Sequence, residues 1–600
     1  MTLQLPLDTS RLPLWNLTDL YPAMDSPEIL QDFIRLEEVS DVFLKRYKGK
    51  LSELSAKEIL DSVKQYEIME EITGRIMSYA GLLNAGDIID TDITKFYQSC
   101  HERITQITTK TLFFTLELNH IDQEKIDQWL KDLQELARYR PWFDTIRQYR
   151  PHQLEDKLEE ILLDKSVAGR AAWVRLFDET MANLKFDYMD PNNNETKSIG
   201  TEEALDFLTD TQESIRKSAA NCLSVTFKNN IRLFTHITNT LAKDKEIEDR
   251  WRHFESPSSS RHLSNQLEKE VVDALITAVK KSYPRLSHRY YQMKAKWLGA
   301  EKLDWWDRNA PLPDSDHKIH QWPDAQKIVL EALDQFSPEM ATIGSKFFEN
   351  DWIDAPIRDG KSPGAFAHPT VPGVHPYLLL NYLGKTRDVM TLAHELGHGI
   401  HQVLAGPQGA LLSDTPLTLA ETASVFGEML TFQSLLSKEQ DSKRRKIIMA
   451  AKVEDMLNTV VRQVAFYDFE SQIHAARKNG ELSADDIGDI WMAVQKESLG
   501  DAIKFDDNYR NFWCYIPHFI HSPFYVYAYA FGDCLVNSLY VNYQNNPDGF
   551  QEKYIHMLRA GGSLRHKDLL LPFGLDAGDP DFWETGLTMI SDLIEEIEKL

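Results

Sequence analysis

The residues His394-Glu395-Leu396-Gly397-His398 form an H-E-x-x-H pattern, and these side chains are the ones best suited to chemistry. On a helix, side chains four apart share a face, so His394 and His398 can aim ring nitrogens at one tetrahedral cation. Glu395 stands beside the pair, where a carboxylate suits a base that activates water rather than a ligand. The expected cofactor is one Zn2+ per chain. The competing reading is two core histidines, and periodicity separates the two. With His394 at zero and about 100° per residue, His398 falls about 40° away and His401 about 20° to the other side. Val389, Leu392, Leu396, Ile400 and Val403 fall roughly 160° to 240° away. One face is therefore apolar and the opposite face presents imidazoles to a cleft.

A third ligand must come from elsewhere. His401 lies about 10 Å from His394 along a helix rising ~1.5 Å per residue, too far to share an ion with bonds of ~2 Å. It reads as cleft lining or as a neighbour of the ligands. The longer pattern H-E-x-x-H-x-x-G-x-x-H fails, because His401 and Leu404 stand where glycine and histidine are required. Glu421, 23 residues after His398, fits better. The loop from Gly406 to Pro416 lets the chain turn back and lay a second helix against the first. The competing reading is local, since Thr418-Leu-Ala-Glu421 matches a capping box. Glu428 shares the Glu421 face two turns away, as a partner that orients an imidazole or as a surface charge.

These residues need a helical frame, and most of the chain supplies one. Apolar residues recur at three- and four-residue spacing from Ser26 to about Lys185, as in Ile68, Ile72 and Ile76. Met189-Asp-Pro-Asn-Asn-Asn-Glu195 is a turn cluster, and its flanks, Leu184 to Tyr188 and Thr196 to Ile199, are expected to pair as a hairpin. Helices resume from Thr201 to about Leu298. The stretch from Asp304 to Gly384 is rich in Trp, Pro and Gly and reads as a small mixed region, with a strand over Tyr377 to Tyr382. The motif helix starts near Thr386 and stops at Gly406-Pro407. The C-terminal part is helical, broken at Pro517, Pro523 and Gly561-Gly562. The expected division is an N-terminal helical lobe, 1–200, and a catalytic domain, 201–600.

A chain of 600 residues with 42% apolar and 26% charged residues can bury more than one core. Its net charge of −26 repels phosphate backbones, which argues against nucleic acid as a partner. Four cysteines, none in a C-x-x-C pair, make no disulfide framework and point to a reducing cytoplasm. Met1 to Trp15 lacks the pattern of a signal peptide, and no apolar run has the length of a membrane span.

Thr391-Leu-Ala-His-Glu-Leu-Gly-His-Gly-Ile-His401 followed by Ala420-Glu-Thr-Ala-Ser424 resembles the oligoendopeptidase F branch of the thimet oligopeptidase family. So do Pro376 to Tyr382, Ile516-Pro-His-Phe-Ile-His-Ser-Pro-Phe-Tyr-Val-Tyr527, the opening Leu12 to Tyr21, and Gly561-Gly-Ser563. The resemblance spans nearly the whole chain. It implies a mainly α, two-lobed metallopeptidase with a deep substrate channel and a small β region near the active site. It implies an endopeptidase limited to unstructured oligopeptides, with zinc held by residues matching His394, His398 and Glu421. Glu395 matches the catalytic base. A downstream His and Tyr assist the transition state there. His518 matches the His; the Tyr is one of Tyr525, Tyr527 and Tyr529, which the spacing does not separate, and Tyr525 is taken as the candidate. Tyr377 to Tyr382 is expected to be an edge strand that pairs with the substrate backbone.

Two rivals share the motif: a carboxypeptidase or dipeptidyl carboxypeptidase of related fold, and a peptide-binding protein that has lost catalysis. The second is disfavoured because His394, Glu395, His398 and Glu421 are all present. A structural zinc site is disfavoured because no cysteine lies near the motif. No oligomeric state is assigned.

Overall fold

A computed structural model describes residues 7–166, 168–313 and 318–600. Residues 1–6 of the opening stretch, and 314–317 of the Trp-, Pro- and Gly-rich stretch, lie outside it. The fold is predominantly helical, with three small sheets among the described residues. No described helix is long and apolar enough to cross a membrane.

The chain divides into two compact units, each assembled from three separated stretches. One comprises Met1–Arg150, His317–Lys438 and Asn542–Asp576; the other comprises Pro151–Asp316, Glu439–Val541 and Ala577–Leu600. Compactness thus groups residues across linear order, while 1–200 and 201–600 divide the chain by order alone.

In the first unit, helices Pro27–Tyr47, Ala56–Gly86 and Thr91–Thr111 bury Leu36, Phe43, Ile59, Ile76 and Ile104 in one core. Ser55 and Glu58 close a reciprocal cap at the start of the second of these. The motif helix, Thr386–Ala405, begins one residue after its cap, Lys385, and Asp388 accepts the N–H groups of Leu383 and Lys385 at 2.9 Å. Val389, Leu392, Leu396 and Ile400 are buried, and His394 and His398 are only partly so, as the projection requires. The break comes at Gly406–Gln408, and a second helix runs over Leu417–Lys438.

A three-stranded sheet lies in the same unit. Tyr377–Leu379 pairs in parallel with Ile353–Asp354 and antiparallel with Phe366–His368. Tyr377–Leu379 is therefore the central strand, which corrects its expected edge role. Its buried run Tyr-Leu-Leu already reads as a strand covered on both faces. The outer strand next to the motif helix is Phe366–His368.

In the second unit, the long helix Glu213–Trp251 buries Ile215, Ala219, Leu223, Phe227, Phe234 and Ile237. The expected hairpin is present, with Phe186 opposite Ile199 and Met189 opposite Thr196.

Candidate metal centre

Two helices build the cluster, and small residues let them meet. A methyl group added at Gly397 would collide with the Ala423 carbonyl oxygen and would lie 2.7 Å from the Ser424 Cα. On the other side of the crossing the approach is looser, and a methyl group at Gly427 would lie 3.3 Å from the Ala393 carbonyl oxygen. The glycine inside the H-E-x-x-H pattern therefore permits the approach that delivers Glu421. From behind, Tyr554 donates a hydrogen bond to the Thr422 carbonyl at 2.8 Å, and its ring packs against Phe426.

One ligand atom each from His394, His398 and Glu421 lies within 4.8 Å of the others. Glu421 Oε2 is 3.3 Å from His394 Nε2 and 3.4 Å from His398 Nε2. Ligands on a tetrahedral ion with bonds of ~2 Å stand about 3.3 Å apart, so the spacing fits zinc. Two imidazoles and one carboxylate leave a fourth position for water or substrate, the pattern of catalytic rather than structural zinc. His394 Nδ1 is 3.2 Å from Glu428 Oε2, which leaves Nε2 to face the cluster. Ser424 Oγ donates to Glu421 Oε2 at 2.7 Å. Glu421 turns to the histidines instead of forming the capping box, and the Thr418 hydroxyl is left without a partner.

The electrostatics favour positive charge at this point. Burial opposes a charged His394, but Glu421 and Glu428 outweigh it and hold the imidazole well above its ordinary value. Burial likewise opposes the Glu421 charge, and hydrogen bonds with His394 and His398 carry its carboxyl well below the usual range. Glu395 is 7% exposed, and burial raises its carboxyl despite the two histidines and the Ala367 N–H, all of which favour the charged form. His401 is buried rather than lining a cleft. Burial pushes it down to about 4; it reaches Thr415 Oγ1 at 3.4 Å and hydrogen-bonds the Ala420 backbone, one residue from Glu421.

The model of peptidase family M3 matches residues 207–589, well over half of the chain. The chain belongs to peptidase family M3. The model described as oligopeptidase F matches residues 117–186. Oligopeptidase PepF of Bacillus subtilis is 27% identical over 98% of this chain and 87% of its own length. An oligoendopeptidase F homolog of Borreliella burgdorferi is 29% identical over 98% of both. The crystal structure of oligoendopeptidase-F from Enterococcus faecium superposes with a TM-score of 0.74, covering 95% of this chain and 98% of that one; at 22% identity this shows the fold.

The M3 peptidase carries its remaining candidate residues in the second unit, on a turn from Pro517 to Tyr529. His518 Nε2 is 3.2 Å from Tyr529 Oη, and the Tyr525 ring stands 6.0 Å from the imidazole. Tyr527 is fully buried, and its hydroxyl meets Asn265 at 2.8 Å and His262 at 3.1 Å. Of the three tyrosines, Tyr525 and Tyr529 share the His518 neighbourhood and Tyr527 anchors the helix. Burial lowers the proton affinity of His518.

Proposed function

We propose that the chain is a zinc-dependent endopeptidase that hydrolyses internal bonds of short, unstructured oligopeptides in the cytoplasm. The observation that supports it most is the pair of 3.3 and 3.4 Å ligand spacings with Glu395 alongside. His394, His398 and Glu421 would hold zinc, which would supply Lewis-acid polarisation of the scissile carbonyl and the attacking water. Glu428 keeps the His394 tautomer that frees Nε2. Glu395 takes a proton from the water and returns it to the leaving amine, work that a buried carboxyl of raised pKa suits. His518, with Tyr525 and Tyr529 around it, donates hydrogen bonds to the developing oxyanion.

Phe366–His368 is tied to the motif helix through Ala367, whose N–H hydrogen-bonds Glu395 and whose carbonyl lies 3.5 Å from Gln402 Nε2. The cytoplasmic assignment is supported by four buried, unpaired cysteines.

The test is cleavage of a quenched oligopeptide blocked at both ends by wild type and Glu395→Gln, with zinc measured on both. Internal cleavage by wild type, and a variant that retains zinc without cutting, is the expected result. Stoichiometric zinc with no cleavage of blocked peptides would transfer the assignment to exopeptidase action or peptide binding.

A further inference from the structure

The turn that carries His518 is strained and held from outside. Phe524 is 1% exposed yet adopts φ 59°, a left-handed conformation unfavourable for a bulky aromatic residue. Such a residue persists only where its surroundings fix it. Its N–H points inward and would be an orphaned donor without a partner. The partner is Glu470 Oε1 at 2.9 Å, from helix Val461–Arg477. The other groups at the turn clasp its carbonyls. Arg170 donates to the Ile520 and His521 oxygens at 2.8 and 2.9 Å, and Arg261 donates to Pro523 O at 3.3 Å. Glu470 is thus the side-chain acceptor that meets the turn at its strained residue.

We infer that Glu470 is a positioning residue for catalysis, whose bond to the Phe524 N–H fixes the turn that presents His518 and Tyr529. The inference rests on the proposed role of His518 in the reaction. A cavity of about 30 Å3 lies behind the turn, bordered by Glu470, His474, Trp513, Phe519 and Pro523. Without the anchor the turn has room to relax into it, and the His518–Tyr529 pair shifts with the backbone. The acceptor is a protonated carboxyl at neutral pH, because burial pushes Glu470 to about 8 against the pull of Arg261 and Lys245. His474, on the same helix, is pushed down to about 3 by burial and by Lys245, Lys478 and Arg170, so it is neutral there. The buried Cys514 thiol, raised by burial, is neutral as well. An amide oxygen therefore replaces the carboxyl without a change of charge, and a thioether replaces its volume without the acceptor.

The experiment compares Glu470→Gln, Glu470→Met, His518→Gln and the double variant E470M/H518Q in steady-state cleavage of one blocked peptide, with zinc content and melting temperature measured on each. Expected are a kcat for E470M lowered 10- to 100-fold at nearly constant KM and full zinc, and E470Q within threefold of wild type. E470M/H518Q is expected to be no slower than H518Q alone, because both changes act through one group. A kcat for E470M within threefold of wild type overturns the inference. So does an E470Q as slow as E470M, or a double variant whose losses multiply. Unchanged kcat in H518Q instead removes the reading of His518, and the inference falls with it. Should E470M fail to fold, Glu470→Leu, which also removes the acceptor while keeping apolar volume, is read by the same criteria.

Discussion

The metal cluster and the His518 turn solve the same problem, holding a few polar side chains still, by opposite means. The cluster stands on two long helices whose backbones satisfy themselves, and close packing at Gly397 and Gly427 sets the spacing. The turn has a left-handed Phe524 and a helix of four residues, His518–His521, and borrows its rigidity from Arg170, Arg261 and Glu470. A regular element keeps its geometry when one contact is lost. An irregular one depends on each anchor separately, so damage at the cluster should show as lost metal and damage at the turn as lost kcat.

The largest effect expected lies in the cluster, and it breaks the simple form of that contrast. Glu395→Gln should lower kcat/KM by about 10³-fold or more while zinc content stays at one, because Glu395 handles the proton and not the metal. Metal analysis beside peptide kinetics checks this. Next comes Gly397→Ala, which pushes the helix bearing Glu421 away. It should weaken zinc binding on the order of 10- to 100-fold and cost about 1–3 kcal/mol of stability. Competition against a chelator and thermal melts report the two effects. Glu428→Gln is milder. The amide cannot hold the imidazole as a charged acceptor does, so zinc affinity should fall about tenfold with kcat at saturating zinc nearly unchanged.

The smallest effect sharpens the other side of the comparison. Glu470 titrates at about 8 in the folded chain because of burial, and near 4.5 when unfolded. The folded state therefore holds the proton more tightly, and the contribution of this group to stability is full below about pH 4.5. It declines as the pH rises and is lost above about 8. Glu470→Gln cannot ionise, so its melting temperature should gain on wild type by a few degrees between pH 5.5 and 8.5. An equal difference at both pH values would contradict a buried neutral carboxyl.

Much of the cluster was legible without a fold. The 3.6-residue period places His394 and His398 on one face and Val389, Leu392, Leu396 and Ile400 on the other. Glu421 was legible through the loop that returns the chain. Glu428 stood between two readings, because its partner is 34 residues away and only the helix crossing brings them together. Gly397 carried a signal that periodicity does not weigh, a glycine mid-helix with no turn to make. The strand over Tyr377–Leu379 was visible, but its place between two others was not, since Ile353–Asp354 is too short to announce itself. Among Tyr525, Tyr527 and Tyr529, sequence spacing could not discriminate; Asn265 and His262 withdraw Tyr527.

By itself, then, the sequence determined what local periodicity and chemical type can encode: a mainly helical chain, a helix with imidazoles on one face and apolar residues on the other, and a carboxylate placed to return to them. Tertiary structure decided the contacts whose partners are far apart in the chain. Those include the approach at Gly397, the Glu428 bond, the outer position of Phe366–His368, and the anchoring of Phe524 by Glu470, 54 residues away. The physical reason is that a side chain's neighbours within one helix follow from a fixed rise and turn per residue. Neighbours across helices follow from which surfaces pack, and that depends on many residues at once.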